Sequence, residues 1–370
     1  MSEVKNHGHI SQSTAGAYTL AEILSQPECW AKCLRDLEVP TESIRKGFSK
    51  VAEWIFVGCG SSYYIALAAA ASWSEITGHR ARAIPASELM LDPELSLAGS
   101  TDFVPVWISR SGRTSEVLRA GELLRKKGIK SVAVSCTAGQ ALEKLATHAI
   151  VIPAADEQST VMTRSFTSML LALQYLAASL AGKRDLITAL HGISAATESI
   201  VKQLAPRVRD FTTSKQFENY VCLGQGPYYG LACESALKLT EMSCSYGQSF
   251  HTLEFRHGPK SIVSPRSLVI LLLSERHYAA ELEMLEEVKQ LGGATLVIAN
   301  KADPRARAAA DFLVELDLPG PELARLAPYV LAGQLMGLYT GLKKGLDPDR
   351  PRNLSRVVIL KEDRPQHATI

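Results

Sequence analysis

The sequence of 370 residues lacks several features that mark common classes of protein. No apolar run reaches the roughly 20 residues that span a bilayer, and the polar segment 1–19 has no signal core. The net charge is only +2, which gives no broad basic field for nucleic acid. These absences predict a cytoplasmic protein that binds neither membranes nor nucleic acids.

Cysteine pairs and a complete dinucleotide motif are also missing. The seven cysteines form no Cys-x-x-Cys motif, which predicts buried thiols in a reducing compartment. Cys29 and Cys33 lie one helical turn apart, but no histidine or second cysteine pair accompanies them, so we expect no metal. Gly58-Cys59-Gly60 resembles the opening of a Rossmann motif, yet Tyr63 occupies the third glycine position. We therefore expect no nucleotide cofactor.

What the sequence does contain is a glycine turn that occurs twice. Residues 57–64 and 223–229 each follow a strand-like apolar run, and their glycines are 166 residues apart. A chain of this length suits two domains. Short apolar runs alternate with helical segments, which predicts parallel sheets covered by helices on both faces. The copies differ after the second glycine, where Ser61 and Ser62 in one correspond to Pro227 in the other, so we expect only one half to bind the ligand.

The alternation of these runs predicts the domain boundaries and strands. We expect an N-terminal extension (1–50) with a helix over 19–37, a first domain (51–185), a helical connection (186–213), a second domain (214–345) and a tail (346–370). Predicted strands of the first domain are 54–57, 103–108, 131–134 and 149–152. Those of the second are 220–223, 267–273, 295–299 and 312–316. The tail has a further strand-like run at 357–360 and is expected to cover another part of the molecule.

Hydroxyl side chains are concentrated in two loops at predicted strand ends. Ser61 and Ser62 begin one helix, and residues 109–114, Ser-Arg-Ser-Gly-Arg-Thr, lead into another. Ligands of parallel α/β sheets bind at the carboxyl ends of strands, and N–H groups at helix starts bind phosphate. Ordinary helix capping is the alternative, but five hydroxyls exceed what two caps require. The sequence therefore predicts one phosphate site.

A second group of polar residues lies on one predicted helix. Glu234, Lys238 and Glu241 are spaced i, i+4 and i+7, which places them on one face. A solvated ion-pair stripe is the common outcome of such spacing. The surrounding apolar residues indicate a buried helix instead, so spacing alone leaves a structural and a functional role open. The turn that begins at His257 is equally ambiguous by itself.

Several motifs together resemble the tandem SIS (sugar isomerase) family, in the family's order along about residues 20–360. The family includes aminosugar-6-phosphate deaminases, ketose/aldose isomerases, fructosamine-6-phosphate deglycases and the isomerase half of the glutamine-dependent aminotransferase. The resemblance implies two tandem flavodoxin-like α/β domains, each a three-layer αβα sandwich. The matching motifs are 58–64 (Gly-Cys-Gly-Ser-Ser-Tyr-Tyr), 109–114, 236–241 (Ala-Leu-Lys-Leu-Thr-Glu), 256–260 (Arg-His-Gly-Pro-Lys) and 349–356 (Asp-Arg-Pro-Arg-Asn-Leu-Ser-Arg).

The same resemblance implies roles for individual residues. Glu241 matches the base that moves a proton between C1 and C2, and Lys238 matches a lysine beside it. His257 matches a histidine that opens the sugar ring and is donated by the neighbouring subunit, which implies a homodimer. The substrate-binding set that it implies is Ser61, Ser62, Ser109, Arg110, Ser111, Thr114, Thr160, Val161, Glu234, Ser355 and Arg356.

One position departs from the aminotransferase pattern. Arg356 stands where that enzyme has a lysine able to form a Schiff base, and arginine stays protonated. We also expect no N-terminal glutaminase domain, since only about 50 residues precede the first strand. The expected activity is conversion of an aminosugar 6-phosphate to a ketose 6-phosphate with release of ammonia. A deglycase and a noncatalytic sugar-phosphate regulator are the alternatives.

Overall fold

Three short helices lead into the first sheet. The computed structural model describes residues 14–48 and 51–361, and no helix within them is both long and apolar enough to cross a bilayer. The prediction of one helix over 19–37 is wrong, because Pro27 lies in the first turn of a new helix, where its missing N–H costs no hydrogen bond. The three helices are α1 (Ala17–Leu24), α2 (Gln26–Arg35) and α3 (Glu38–Gly47).

Two sheets of five parallel strands form the framework of the described chain. The strands of the first sheet are β1 (Glu53–Gly58), β2 (Arg80–Pro85), β3 (Phe103–Ile108), β4 (Val132–Ser135) and β5 (His148–Val151). Those of the second are β6 (Asn219–Gly224), β7 (Tyr246–His251), β8 (Ser267–Leu273), β9 (Ala294–Ala299) and β10 (Phe312–Glu315). Their orders are β2-β1-β3-β4-β5 and β7-β6-β8-β9-β10. Both are the flavodoxin-like order, so the predicted fold class is confirmed.

Helices cover both faces of each sheet and join the two halves. Those of the first half are α4 (Ser61–Thr77), α5 (Ala86–Leu91), α6 (Pro93–Ser96), α7 (Ser115–Lys126), α8 (Ala141–Leu145) and α9 (Arg164–Leu180). The long α10 (Arg184–Ser214) connects the halves. Those of the second half are α11 (Pro227–Ser243), α12 (Tyr278–Gln290), α13 (Pro304–Ala309), α14 (Leu326–Tyr329) and α15 (Leu331–Lys343).

The eight predicted strands are all present, each with bounds within one residue of the prediction. The edge strands β2 and β7 are not among the predicted strands. The strand-like run at 357–360 forms no strand; instead the backbone of Val358 accepts a hydrogen bond from Ser115 N at 3.2 Å, at the start of α7. The tail segment is therefore held by a helix terminus rather than by a sheet.

The two glycine turns have the same backbone geometry. Gly60 has φ 54° and ψ −128°, and Gly226 has φ 55° and ψ −129°. Side chains other than glycine rarely adopt such angles. A Cβ at Gly58 or Gly224 would lie 2.6 or 2.3 Å from backbone oxygen of the following helix. Each turn thus needs both glycines, and the duplication inferred from the sequence is visible as a repeated conformation.

The halves pack against each other through α4 and α11. A Cβ on Gly230 of α11 would lie 2.6 Å from both Tyr64 O and Ala68 N of α4. One continuous apolar core includes residues of both helices and of both sheets. This close crossing brings the start of α4 beside the middle of α11, where the charged residues of that helix lie.

Candidate active site

A cleft of about 210 Å³ opens at the carboxyl ends of β1 and β3. The starts of α4 and α7 form its floor, and one turn of α11 and a segment near the end of the described chain form its walls. Its volume is below the roughly 300–1,000 Å³ of sites for drug-sized ligands, which fits a small metabolite. The lining residues are Cys59, Gly60, Ser61, Ser62, Arg110, Ser111, Thr114, Thr160, Val161, Met162, Glu241, Leu354, Ser355, Arg356, Val357 and Val358.

Most of the site residues predicted from the sequence meet at this cleft. Three of them lie behind its surface: Ser109, whose hydroxyl is 2.9 Å from Thr114 Oγ1, and the buried Glu234 and Lys238. His257 is not part of the cleft of its own chain. It is exposed and follows the short 3₁₀ helix Glu254–Arg256.

The hydroxyls of the cleft do not serve as ordinary helix caps. Gly60 is the N-cap of α4, and Thr114, the N-cap of α7, makes no side-chain capping bond. Ser61 Oγ instead donates to Glu234 Oε1 of α11 at 3.1 Å. Within the described residues, no protein acceptor faces the backbone N–H groups of Ser111 and Thr114. The capping alternative is therefore insufficient, and the donor-rich loops can receive an anion.

Three charged side chains of α11 form a compact group beside these hydroxyls. Lys238 Nζ lies 2.5 Å from Glu241 Oε2, 3.2 Å from Glu234 Oε1 and 3.2 Å from Ser61 Oγ. The side chains of Lys238 and Glu234 are fully buried, whereas that of Glu241 is 19% exposed. Only Glu241 of the three reaches the cleft, so the other two act through it or through Ser61.

Burial and charge pairing shift the pKa values of this group. Burial raises the pKa of Glu234 to about 7, although the Lys238 ammonium opposes the shift. Glu234 Oε2 is buried and receives no hydrogen bond from the described residues, so the ionised form lacks stabilisation at this oxygen. For Lys238, burial disfavours the ammonium, but Glu234 and Glu241 outweigh it and raise its pKa. The ammonium is therefore retained beside Glu241.

The equivalent loops of the second half are already satisfied by protein carboxylates. Glu281 Oε2 accepts Ser274 N at 2.6 Å, and Glu322 Oε1 accepts Glu275 N at 2.7 Å. Pro227 has no N–H to offer. A cleft of about 470 Å³ exists at this end, but the donors that would bind a phosphate are used internally. This asymmetry agrees with the expectation that only one half binds the ligand.

The contacts that hold the cleft wall were not predicted from the sequence. Glu22 of α1 accepts Gln158 N at 2.5 Å and Ser159 N at 3.2 Å. Asp349 accepts Thr19 N at 2.7 Å and, through its backbone oxygen, Thr160 N at 3.1 Å. These partners are more than 100 residues apart in sequence, and no local pattern marks them.

Family comparisons agree with this geometry. The model described as the SIS domain matches the chain twice, over residues 48–179 and 216–332, which is more than half of it. The chain belongs to the SIS-domain family. Each matched region contains one of the two sheets. This SIS protein therefore has the tandem arrangement that the repeated turn predicted.

Curated relatives of this SIS protein include isomerizing glutamine–fructose-6-phosphate aminotransferases. That of Brucella abortus biovar 1 is 28% identical over 373 residues, a match covering 96% of this chain and 60% of the relative. That of Pyrobaculum aerophilum is also 28% identical, with 94% and 59% covered. The SIS protein thus spans about three fifths of the length of these relatives.

Solved structures with the same fold include a sugar-phosphate deaminase and a sugar-phosphate isomerase. Glucosamine-6-phosphate deaminase from Thermotoga maritima is 27% identical with a TM-score of 0.75, covering 93% of this chain and 100% of that one. Tagatose-6-phosphate ketose/aldose isomerase from Escherichia coli is 22% identical with a TM-score of 0.77, covering 96% and 99%. At 22% identity the second likeness concerns the fold alone.

Proposed function

We propose that this SIS protein is a phosphosugar isomerase that deaminates an aminosugar 6-phosphate. The observation that carries the proposal is Glu241, a partly exposed carboxylate facing a cradle of hydroxyl and N–H donors. The similar deaminase of Thermotoga maritima, covered over its whole length, supports this reaction over glutamine-dependent synthesis.

The phosphate is proposed to bind at the starts of α4 and α7. Ser62, Ser111 and Thr114 line the cleft there. Hydroxyls and the free N–H groups at helix starts are suited to phosphate oxygens, and the positive ends of the helix dipoles favour the charge. The sugar chain would then extend from this cradle towards Glu241 and the Thr160–Val161 wall.

Glu241 is proposed to carry the proton between the two carbons. Its Oε2 is held by the Lys238 ammonium, while no donor among the described residues reaches Oε1. In the open-chain aldose, Glu241 removes the C2 proton, which gives an enolamine, and returns the proton to C1. C2 is then an imine, to which water adds, so that ammonia leaves and a ketose 6-phosphate remains. Lys238 fixes the carboxylate and offsets the negative charge that develops.

Ring opening is assigned to His257 of a second copy of the chain. The reaction needs a group that titrates near neutrality, and imidazole meets this requirement. His257 is exposed and absent from the cleft lining of its own chain. A homodimer in which this loop reaches the neighbouring cleft would complete the site.

Arg356 limits the chemistry that the cleft is proposed to perform. Its guanidinium lies 2.5 Å from Asp156 Oδ1, and arginine provides no neutral amine for a Schiff base. The substrate carbonyl is therefore proposed to react without covalent attachment at this position. The amine is proposed to leave as ammonia.

The test uses the purified full-length protein with glucosamine 6-phosphate, galactosamine 6-phosphate and fructosamine 6-phosphates. Ammonia and ketose 6-phosphate are measured together. Equal yields of both from a hexosamine phosphate are expected. Release of an amino acid from a fructosamine phosphate, without ammonia from the hexosamines, would replace this proposal by a deglycase. Thermal stabilisation without any turnover would indicate a sugar-phosphate regulator.

A further inference from the structure

Arg110 lies at the cleft but is almost entirely engaged with the protein. It follows β3 and is 5% exposed, and its Nη1 is 3.1 Å from Oε2 of the fully buried Glu157. Nη1 also donates to Val161 O at 3.0 Å. Nη2 donates to Thr160 O at 2.9 Å and to Arg356 O at 3.2 Å. One side chain thus joins three separate segments.

These four contacts match the donor capacity of the two terminal nitrogens of Arg110, and the Nε–H is the fifth donor, for which no acceptor lies among the described residues. The two terminal nitrogens carry four N–H bonds, and four protein acceptors lie within hydrogen-bond distance of them. A phosphate could bind these nitrogens only by displacing an acceptor. Charge-assisted bonds of this kind, made in a buried position, are among the stronger ones in proteins. The pattern is that of a group that fixes protein segments.

The joined segments form the wall opposite Glu241. The loop that contains Thr160 and Val161 is also held by Glu22, and Asp156 pairs with the exposed Arg356 side chain. These other bonds lie behind the loop or at the surface of the protein. Arg110 lies between the loop and the segment Leu354–Val358 and binds backbone oxygens of both.

We propose that Arg110 is a positioning residue, which holds the Thr160–Val161 loop and the segment Leu354–Val358 together as the sugar-side wall. The phosphate is then bound by the uncharged donors of Ser62, Ser111 and Thr114. The role in substrate binding rests on the proposed function, whereas the clamping of the two segments is a property of the protein without substrate. Arg110 therefore governs affinity for the sugar part and leaves affinity for phosphate alone nearly unchanged.

The test compares Arg110→Lys with the double variant Ser111→Ala, Thr114→Ala. Lysine keeps the charge but loses the planar fork that reaches four acceptors. Three quantities are measured on the full-length protein. The first is amide hydrogen exchange in residues 158–163 without substrate, since four amides of this loop are hydrogen-bonded. The others are the competitive inhibition constant of inorganic phosphate, and kcat and KM for the best sugar phosphate.

Arg110→Lys is expected to speed exchange in residues 158–163 about tenfold or more, because the loss of two or more charge-assisted bonds lets this loop open more often. Its KM for the sugar phosphate rises about tenfold, while the inhibition constant of inorganic phosphate stays within about twofold of wild type. The double variant gives the opposite result: the inhibition constant of inorganic phosphate rises about tenfold, and amide hydrogen exchange is unchanged.

The proposal would be overturned if the inhibition constant of inorganic phosphate rose equally in both variants and amide hydrogen exchange were unchanged in Arg110→Lys. Arg110 would then be a phosphate ligand. If Arg110→Lys does not fold, Arg110→Gln undergoes the same measurements. The exchange experiment needs no substrate. It therefore tests whether Arg110 holds the two segments even if the protein turns over no sugar phosphate. Failure of the Arg110 proposal can thus be distinguished from failure of the proposed function.

Discussion

At the scale of residues, one carboxylate of α11 differs from its neighbours in being open to the cleft. Glu241 keeps 19% of its side chain exposed, while Lys238 and Glu234 behind it have none. Ionised groups inside proteins are costly unless they are paired, and this group pairs one ammonium with two carboxylates. The arrangement holds Glu241 in one orientation without covering its second oxygen.

Replacement of Glu241 by glutamine should separate binding from turnover. Glutamine has the same shape but is no base, so kcat should fall about 10²–10⁴-fold while sugar-phosphate affinity changes little. Ammonia release gives the rate, and thermal stabilisation by the sugar phosphate gives the binding. Glu122→Gln, an exposed position on α7, is the matched control and should behave as wild type. Wild-type turnover in Glu241→Gln would contradict the mechanism.

Glu234 should make stability depend on pH. Its pKa is about 7 in the folded protein, above the ordinary value of 4.5, so the folded state binds the proton more tightly. The associated stability is fully present below pH 4.5 and is lost as the pH rises through 7. Relative to Glu234→Gln, the wild-type free energy of unfolding should fall by about 2–3 kcal/mol between pH 5 and pH 8.

Urea unfolding of both proteins at several pH values measures this difference. Because the variant lacks the titrating carboxyl, the comparison removes contributions from carboxylates elsewhere. If the free energy of unfolding of the wild type instead rose with pH relative to Glu234→Gln, Glu234 would be more acidic than its buried position indicates.

At the scale of elements, the crossing of α4 and α11 fixes the distance between the hydroxyl cradle and the proton-transfer group. Gly230→Ala would place a Cβ 2.6 Å from backbone atoms of α4, and should cost about 1–3 kcal/mol by overpacking. A Cβ at Gly192 in α10 would have no other atom within 4 Å, so Gly192→Ala should stabilise the folded protein by about 0.5–1 kcal/mol. Thermal unfolding measures both, and destabilisation of similar size in the two variants would argue against the close crossing.

The strands show which elements the sequence reveals. β8, with seven buried residues of which six are apolar, was predicted to the residue. β7 reads Tyr-Gly-Gln-Ser-Phe-His and lies at the sheet edge, where no position is fully buried. An edge strand needs fewer apolar side chains, so its pattern resembles that of a loop. The apolar run at 357–360 forms no strand because its backbone bonds to Ser115 at the start of α7 instead of to a strand.

The site was predictable to the extent that its residues are local in sequence. The loop 109–114 and the triplet Glu234, Lys238 and Glu241 each lie within a few residues or on one helix face. Glu22 and Asp349 have no such signal, because their partners are brought near only by the folded chain. Arg110 was recognised as a cleft residue, but its four protein acceptors lie 47 to 246 residues away.

At the scale of the whole molecule, the proposed dimer can be tested by mixing two inactive variants. Glu241→Gln and His257→Ala should each be inactive alone. If His257 acts in the neighbouring cleft, a mixed dimer has one complete site. Random exchange of subunits should then restore about a quarter of wild-type activity.

The mixture is prepared by joint refolding or co-expression, and activity is measured as ammonia release. Each variant refolded alone is the control. If His257 acts within its own chain, the mixture would remain inactive, because no subunit would contain both residues.

The floor and one wall of the cleft come from distant parts of the described chain. During synthesis on the ribosome, the cradle of β1, α4, β3 and α7 is complete long before Leu354–Val358 emerges. The carboxylates of Asp347 and Asp349, which receive the N–H groups of Gly16, Tyr18 and Thr19, also arrive late. A chain that terminates before Asp347 therefore has neither the wall nor the acceptors for the first turn of α1. The start of α1 and the segment 347–349 are therefore expected to reach their final structure together.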